Sequence, residues 1–350
     1  MYTEPLAPIH SPHPDALAGT PYTAVRLVGR GGMGEVLEAE HLALGKRVVV
    51  KLLRPELCAE PSLVERLRIE AQAMARLQNP HVASVHDLGT TPAGRPYFVL
   101  EYLEGHNLAE EMRSRGPLDV AEAIRVALDV LDGLSAAHQA GLVHRDVKAS
   151  NIFLCAPDRH GRRCVKLLDF GVAKVTRTRE PRFYPTEEGH FIGSPAVAAP
   201  EQARGEAVDG RADLYAVGLL LYTMIAGRSP IGGAGVPHAM LAAQVLTVPP
   251  PLSSAAAQPV PFTLDAVVAK ALAKAPADRY ATSAQMAAAL ERVLANMDES
   301  PRLHAPLPSP SAAVPEVARS YGAAVLTAAL AGTLFFALLW TIWRMVRGPS

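Results

Sequence analysis

The run Val28-Gly29-Arg30-Gly31-Gly32-Met33-Gly34-Glu35-Val36 constrains this chain more than any other, because Gly29, Gly31 and Gly34 fit the spacing G-x-G-x-x-G. Glycines so placed let a backbone approach phosphate groups closely. A dinucleotide-binding fold follows such a loop with a helix, whereas residues 35–40 and 47–52 read as two strands around a turn at Gly45. The expectation is a β-hairpin lid over a nucleotide. Lys51 follows Val48-Val49-Val50 on the second strand, either as an edge-strand solubiliser or as a phosphate ligand. In residues 63–77 the apolar Leu63, Leu67, Met74 and Leu77 mark one helical face, and Glu70 falls on that face. Burying a lone carboxylate is costly, so Glu70 either pairs with Lys51 or sits at the helix boundary in solvent.

The chain is long enough, at 350 residues with 49% hydrophobic and 19% charged, to bury a sizeable core, which excludes global disorder. Thirty-four basic residues balance thirty-four acidic ones, so nothing global steers it to nucleic acid, and no nucleic-acid partner is expected. Three cysteines, Cys58, Cys155 and Cys164, are too few and too scattered for a disulfide framework or a four-ligand zinc site. They read as small buried hydrophobes in a reducing compartment. Residues 1–21 carry five prolines and no apolar run, a flexible leader rather than a secretory signal. From 22 to 297 short β-like runs give way to long Ala/Leu-rich helical patterns, an α+β domain with a small β-rich part before a larger helical one.

Residues 298–320 hold Pro301, Pro306, Pro308, Pro310 and Pro315 and form a semi-extended linker by composition. Then residues 320–343 pass without a charge, and about 20 helical residues cross a hydrocarbon core. With Tyr321 at one end and Trp340 and Trp343 at the other, residues 321–343 are expected to span a membrane once, leaving a short tail at 344–350. Arginines flank both ends and leave the orientation open. Ala324, Ala328 and Gly332 recur every four residues. Such a stripe would let two helices pack as a homodimer, or is incidental in an alanine-rich chain.

Three further strings carry the chemistry. A helical stretch over 120–140 ends at Gly141, and His144-Arg145-Asp146-Val147-Lys148-Ala149-Ser150-Asn151 follows; then come Asp169-Phe170-Gly171 and Ala199-Pro200-Glu201. With the glycine loop and Lys51, these make residues 22–297 resemble a eukaryotic-type protein kinase. The strings G-R-G-G-M-G-E-V and A-P-E-Q-A-R-G are most similar to the bacterial serine/threonine branch. The resemblance implies a bilobal fold, with a β-rich N-lobe over 22–100, a hinge at 101–104 and a helical C-lobe over 105–297; the one transmembrane helix expected from the apolar run follows it. It implies ATP with Mg²⁺ or Mn²⁺, protein substrates, and a kinase domain on the cytoplasmic side, where ATP is available.

The same resemblance assigns roles. Asp146 would orient the substrate hydroxyl and accept its proton, and Lys148 would offset charge on the transferring phosphoryl group. Asn151 and Asp169 would hold the metal through oxygen. Lys51 would contact the nucleotide phosphates, with Glu70 fixing Lys51. Val28, Gly29, Arg30, Gly31, Gly32, Met33, Gly34 and Val36 would cover the nucleotide, while the backbone at Glu101 and Leu103 meets adenine. Asp213 would brace the catalytic loop, and Arg279 would pair with Glu201.

Some positions depart from the family pattern. Gly193-Ser194-Pro195 stands where Gly-Thr-Pro is usual, Val197 replaces a tyrosine, and the segment between Cys155 and Cys164 is long. Among Thr176, Thr178 and Thr186, the last lies eight residues before Ser194, a position often phosphorylated in related bacterial kinases, and Glu188 stands two residues beyond it. Arg145 is the cation that a phosphate on Thr186 would meet. Two other readings stand beside the active kinase. A scaffold that keeps the fold without chemistry would be marked by loss of Lys51, Asp146, Asn151 or Asp169, and a dinucleotide-dependent enzyme rests on the glycines alone.

Overall fold

The computed structural model describes residues 16–31, 34–59, 61–159, 161, 163–169, 194–232 and 235–299. Strands β1 (Tyr22–Arg30), β2 (Gly34–His41) and β3 (Lys46–Leu53) form an antiparallel meander; β4 (Val85–Thr90) and β5 (Pro96–Glu101) complete a sheet of order β1-β2-β3-β5-β4. The turn from β2 to β3 closes at Gly45, whose φ of +60° suits a residue without Cβ. Alternation along β3 buries Val48, Val50 and Leu52 and turns Val49 and Lys51 to the opposite face. The buried face packs with Leu37, Ala39, Tyr97 and Val99.

Leu17 joins that cluster at 2% exposure, although 1–21 reads as a flexible leader. Packing therefore begins ahead of residue 22, because the sheet's inner face needs one more apolar cover. Between β3 and β4 lie α1 (Pro55–Cys58) and α2 (Pro61–Ala75). The helix expected over 63–77 starts two residues early, at a proline suited to a first helical turn. It ends early as well, because Arg76 and Leu77 donate to carbonyls three residues back and tighten the last turn.

The helical part comprises α3 (Leu108–Arg115), α4 (Val120–Gln139), α5 (Pro200–Arg204), α6 (Arg211–Ala226), α7 (Pro237–Leu246), α8 (Leu252–Ala255), α9 (Phe262–Ala271) and α10 (Ser283–Glu299). Asp119 caps α4 by accepting the Ala121 N–H at 2.8 Å, and Ala123, Ile124, Ala127, Val130, Leu131, Leu134 and Ala137 form its buried stripe. Helix α6 is buried almost all round and stands at the centre of this core. Gly218 lets α9 approach it, since a Cβ there would lie 2.9 Å from that of Ala271.

A second sheet, β6 (Gly105–Asn107), β7 (Ile152–Cys155) and β8 (Val165–Leu167), lies beside α4 and carries the loops of the site. The cysteines are half-buried rather than buried. Cys155 and Cys164 face each other just past the β7–β8 register, with the Cys155 N–H donating to the Cys164 carbonyl at 2.9 Å. Both are free thiols, and burial raises the pKa of each. They flank the connecting loop of the β7–β8 hairpin, where each is half-buried.

Among the described residues no helix is long and apolar enough to cross a membrane. The expected span at 321–343 lies outside the described residues.

Candidate active site

Lys51 projects from β3 to meet Asp169, Nζ to Oδ1 at 2.9 Å. Three bonds fix the approach to Asp169. Leu167 N–H donates to the His81 carbonyl at 2.8 Å, Leu168 N–H donates to the Asn151 carbonyl at 2.8 Å, and His144 Nε2 donates to the Leu168 carbonyl at 2.9 Å. The last assigns the proton of His144, because its Nδ1 accepts the Asp146 N–H at 3.2 Å. Asp169 has a φ of +51°, a left-handed conformation that a non-glycine residue keeps only when its neighbours hold it.

The loop at 144–151 hangs from the buried Asp213 on α6. Its Oδ2 accepts the His144 N–H at 2.8 Å and its Oδ1 accepts the Arg145 N–H at 2.7 Å, while His138 Nε2 donates to Oδ2 at 2.8 Å. Arg145 has a φ of +63°. Beyond it Asp146 gathers two of the expected partners. Lys148 Nζ lies 3.0 Å from its Oδ2, and Asn151 Nδ2 donates to its carbonyl at 2.9 Å and to Oδ2 at 3.3 Å. Lys148 also donates to Ser194 Oγ at 2.6 Å, so the serine that stands where threonine is usual supplies a hydroxyl acceptor. Farther down, Arg279 makes two 2.7 Å bonds to the carboxylate of Glu201, both residues buried.

The glycine loop turns tightly, with Gly31 N–H donating to the Gly34 carbonyl at 2.9 Å. A Cβ on Gly34 would fall 2.1 Å from the Leu52 carbonyl oxygen, so only glycine fits, whereas Gly29 and Gly31 face open space. Val28 is exposed, and Val36 pairs in register with Lys51. Arg30 turns back to Glu35, Nε to Oε1 at 3.0 Å. At the hinge the Glu101 side chain is engaged by the Ser84 N–H at 2.7 Å and Lys166 Nζ at 2.8 Å. Arg47 lies over the Tyr102 ring and pairs with Glu104, and Leu103 between those two residues is half-buried.

Gly32, Met33, Thr176, Thr178, Thr186 and the side chain of Glu70 lie outside the described residues. The pairing of Lys51 with Asp169, the anchoring of Glu101 by Lys166 and the bond from Gln202 to the Arg145 carbonyl escaped the sequence. Each joins distant stretches of chain, and none leaves a local pattern.

A protein kinase domain model matches residues 22–290. The serine/threonine-protein kinase Pkn1 of Myxococcus xanthus is 42% identical over 275 residues, covering 78% of this chain and 38% of Pkn1. PknB of Mycobacterium tuberculosis is 40% identical over 276 residues, covering 78% of this chain and 42% of PknB. The chain thus spans less than half the length of either relative. Among solved structures, a kinase domain of M. tuberculosis PknI aligns with a TM-score of 0.61 at 32% identity, covering 79% of this chain and 96% of that one. The chain belongs to the protein kinase family, in its bacterial serine/threonine branch.

Proposed function

We propose that the protein transfers the γ-phosphate of ATP to serine and threonine hydroxyls of proteins. The observation that carries this reading is the grouping of Asp146 with Lys148 at 3.0 Å and with Asn151. Asp146 is then the group that orients the hydroxyl and takes its proton, and Lys148 offsets charge on the moving phosphoryl group. Lys51 binds the nucleotide phosphates under the glycine loop, Val36 borders the base, and the backbone at Glu101 and Leu103 holds adenine. Glu70 is proposed as the second carboxylate for Lys51 when nucleotide displaces its bond to Asp169.

The donor set suits Mg²⁺. Asn151 commits its Nδ2 to Asp146, so the atom it offers a hard cation is Oδ1, and Asp169 offers a carboxylate. The backbone bond from Leu168 to Asn151 ties these two residues together. Bound Mg²⁺ neutralises phosphate charge.

Residues 321–343 are proposed to anchor the protein in a membrane with residues 22–297 on the cytoplasmic side. Thr186 is the proposed autophosphorylation site, ahead of Thr176 and Thr178, with Arg145 as the cation its phosphate meets. Phosphosite mapping of the purified chain after incubation with ATP and Mg²⁺ tests this reading. Phosphate on Thr186 in wild type and on no residue in Asp169→Asn is the expected result. ATP binding without phosphate on any serine or threonine of the chain or of an added protein would favour a scaffold that keeps only the fold.

A further inference from the structure

The backbone of Arg145 is held from two sides, at its N–H and at its carbonyl. Arg145 sits at a φ of +63°, which demands support from its neighbours. Its N–H is taken by Asp213 at 2.7 Å. Its carbonyl accepts from Gln202 Nε2 at 3.2 Å, and the same carboxamide accepts the Ala199 N–H through Oε1 at 3.0 Å. One partner only donates and the other only accepts, so the orientation of the amide is determined. The neighbouring Glu201 is locked to Arg279 by two buried bonds, so Gln202 grows from a rigid base. A second tie joins the same two stretches of chain, the bond from Lys148 to Ser194 at 2.6 Å.

We infer that Gln202 is a positioning residue for phosphoryl transfer, which locks the Arg145–Asp146 peptide to the first turn of α5 and thereby aims the Asp146 carboxylate. This rests on the kinase reading of Asp146. It also makes the orientation of Asp146 depend on the chain at 194–199, so that displacement of this stretch is felt at the carboxylate through Gln202 as well as through Lys148.

Gln202→Glu in the full chain separates positioning from capping, because a carboxylate still accepts the Ala199 N–H but has no hydrogen for the Arg145 carbonyl. The expected result is a fall in kcat of about tenfold with KM for ATP within about twofold of wild type and a melting temperature within a few degrees of wild type. Amide hydrogen exchange over residues 144–147 should quicken. A kcat within about twofold of an active wild type at neutral pH overturns the inference. If wild type transfers no phosphate, the kinase reading fails, and the exchange arm alone decides whether Gln202 holds the peptide: unchanged exchange in Gln202→Glu overturns it.

Discussion

Lys51 and Asp169, separated by 118 residues in the chain, meet through a 2.9 Å bond between the two sheets. The pair is part-exposed, with side chains 22% and 43% accessible, and such pairs contribute only about 0–1 kcal/mol to stability. Removing a charge aimed at a transferring group costs about 10²–10³ in rate. Lys51→Ala and Asp169→Asn are therefore expected to leave the melting temperature within a few degrees of wild type while lowering phosphate transfer at least about 100-fold. Unfolding on either substitution would assign the pair to structure instead.

Gly34 and Gly31 differ in what surrounds them. Gly34→Ala would drive a methyl into the Leu52 carbonyl at 2.1 Å, and neither backbone has an easy direction of retreat. A cost of about 1–3 kcal/mol in urea denaturation is expected, the range for overpacking. Gly31→Ala meets nothing within 4 Å and should keep wild-type stability. If it also weakens ATP binding, the space above Gly31 belongs to the nucleotide. Equal destabilisation by the two substitutions would contradict this.

Glu111 supplies a pH test. Its carboxylate accepts Arg115 Nη1 at 2.6 Å and also meets His106 and Arg163, and the Arg115 bond above all holds its pKa down at about 2. A carboxylate depressed on folding stabilises fully above its unfolded pKa and loses that contribution as pH falls through the folded value. The stability difference between wild type and Glu111→Gln is thus expected to be constant above about pH 5 and to shrink between about pH 4.5 and 2. A difference that ignores pH across that window would refute the assignment.

Local strings spelled out much of the site. The glycine spacing, His144 to Asn151, and Asp169 each announce themselves because their geometry is set within a few residues. The sequence set Lys51 after the run Val48-Val49-Val50 and left its role open, and the alternation of β3 in the structure turns it away from Val48, Val50 and Leu52. What stayed hidden depends on contacts between distant segments. Gln202 reaches back 57 residues to Arg145 with no local sign, whereas the 69-residue reach of Asp213 to His144 was legible only through the family resemblance. The burial of Leu17 follows from a vacancy in a sheet face that exists only after β1, β2, β3 and β5 have assembled. Composition alone makes Cys155 and Cys164 small buried hydrophobes, but they flank the connecting loop of the β7–β8 hairpin and are half-buried.

Deleting residues 321–350 is expected to release the protein from membranes, because no helix among the described residues is long and apolar enough to span one. Carbonate-resistant association of the truncated chain would place the anchor elsewhere.

The central claim is that Asp146 serves phosphoryl transfer, and single-turnover transfer of labelled γ-phosphate from ATP to a serine- and threonine-containing protein tests it most directly. Wild type should transfer label in the presence of Mg²⁺. Asp146→Asn should bind ATP with wild-type affinity and transfer it about 10²–10⁴ times more slowly, the range for loss of a positioned general base. Transfer by Asp146→Asn at the wild-type rate would contradict the account.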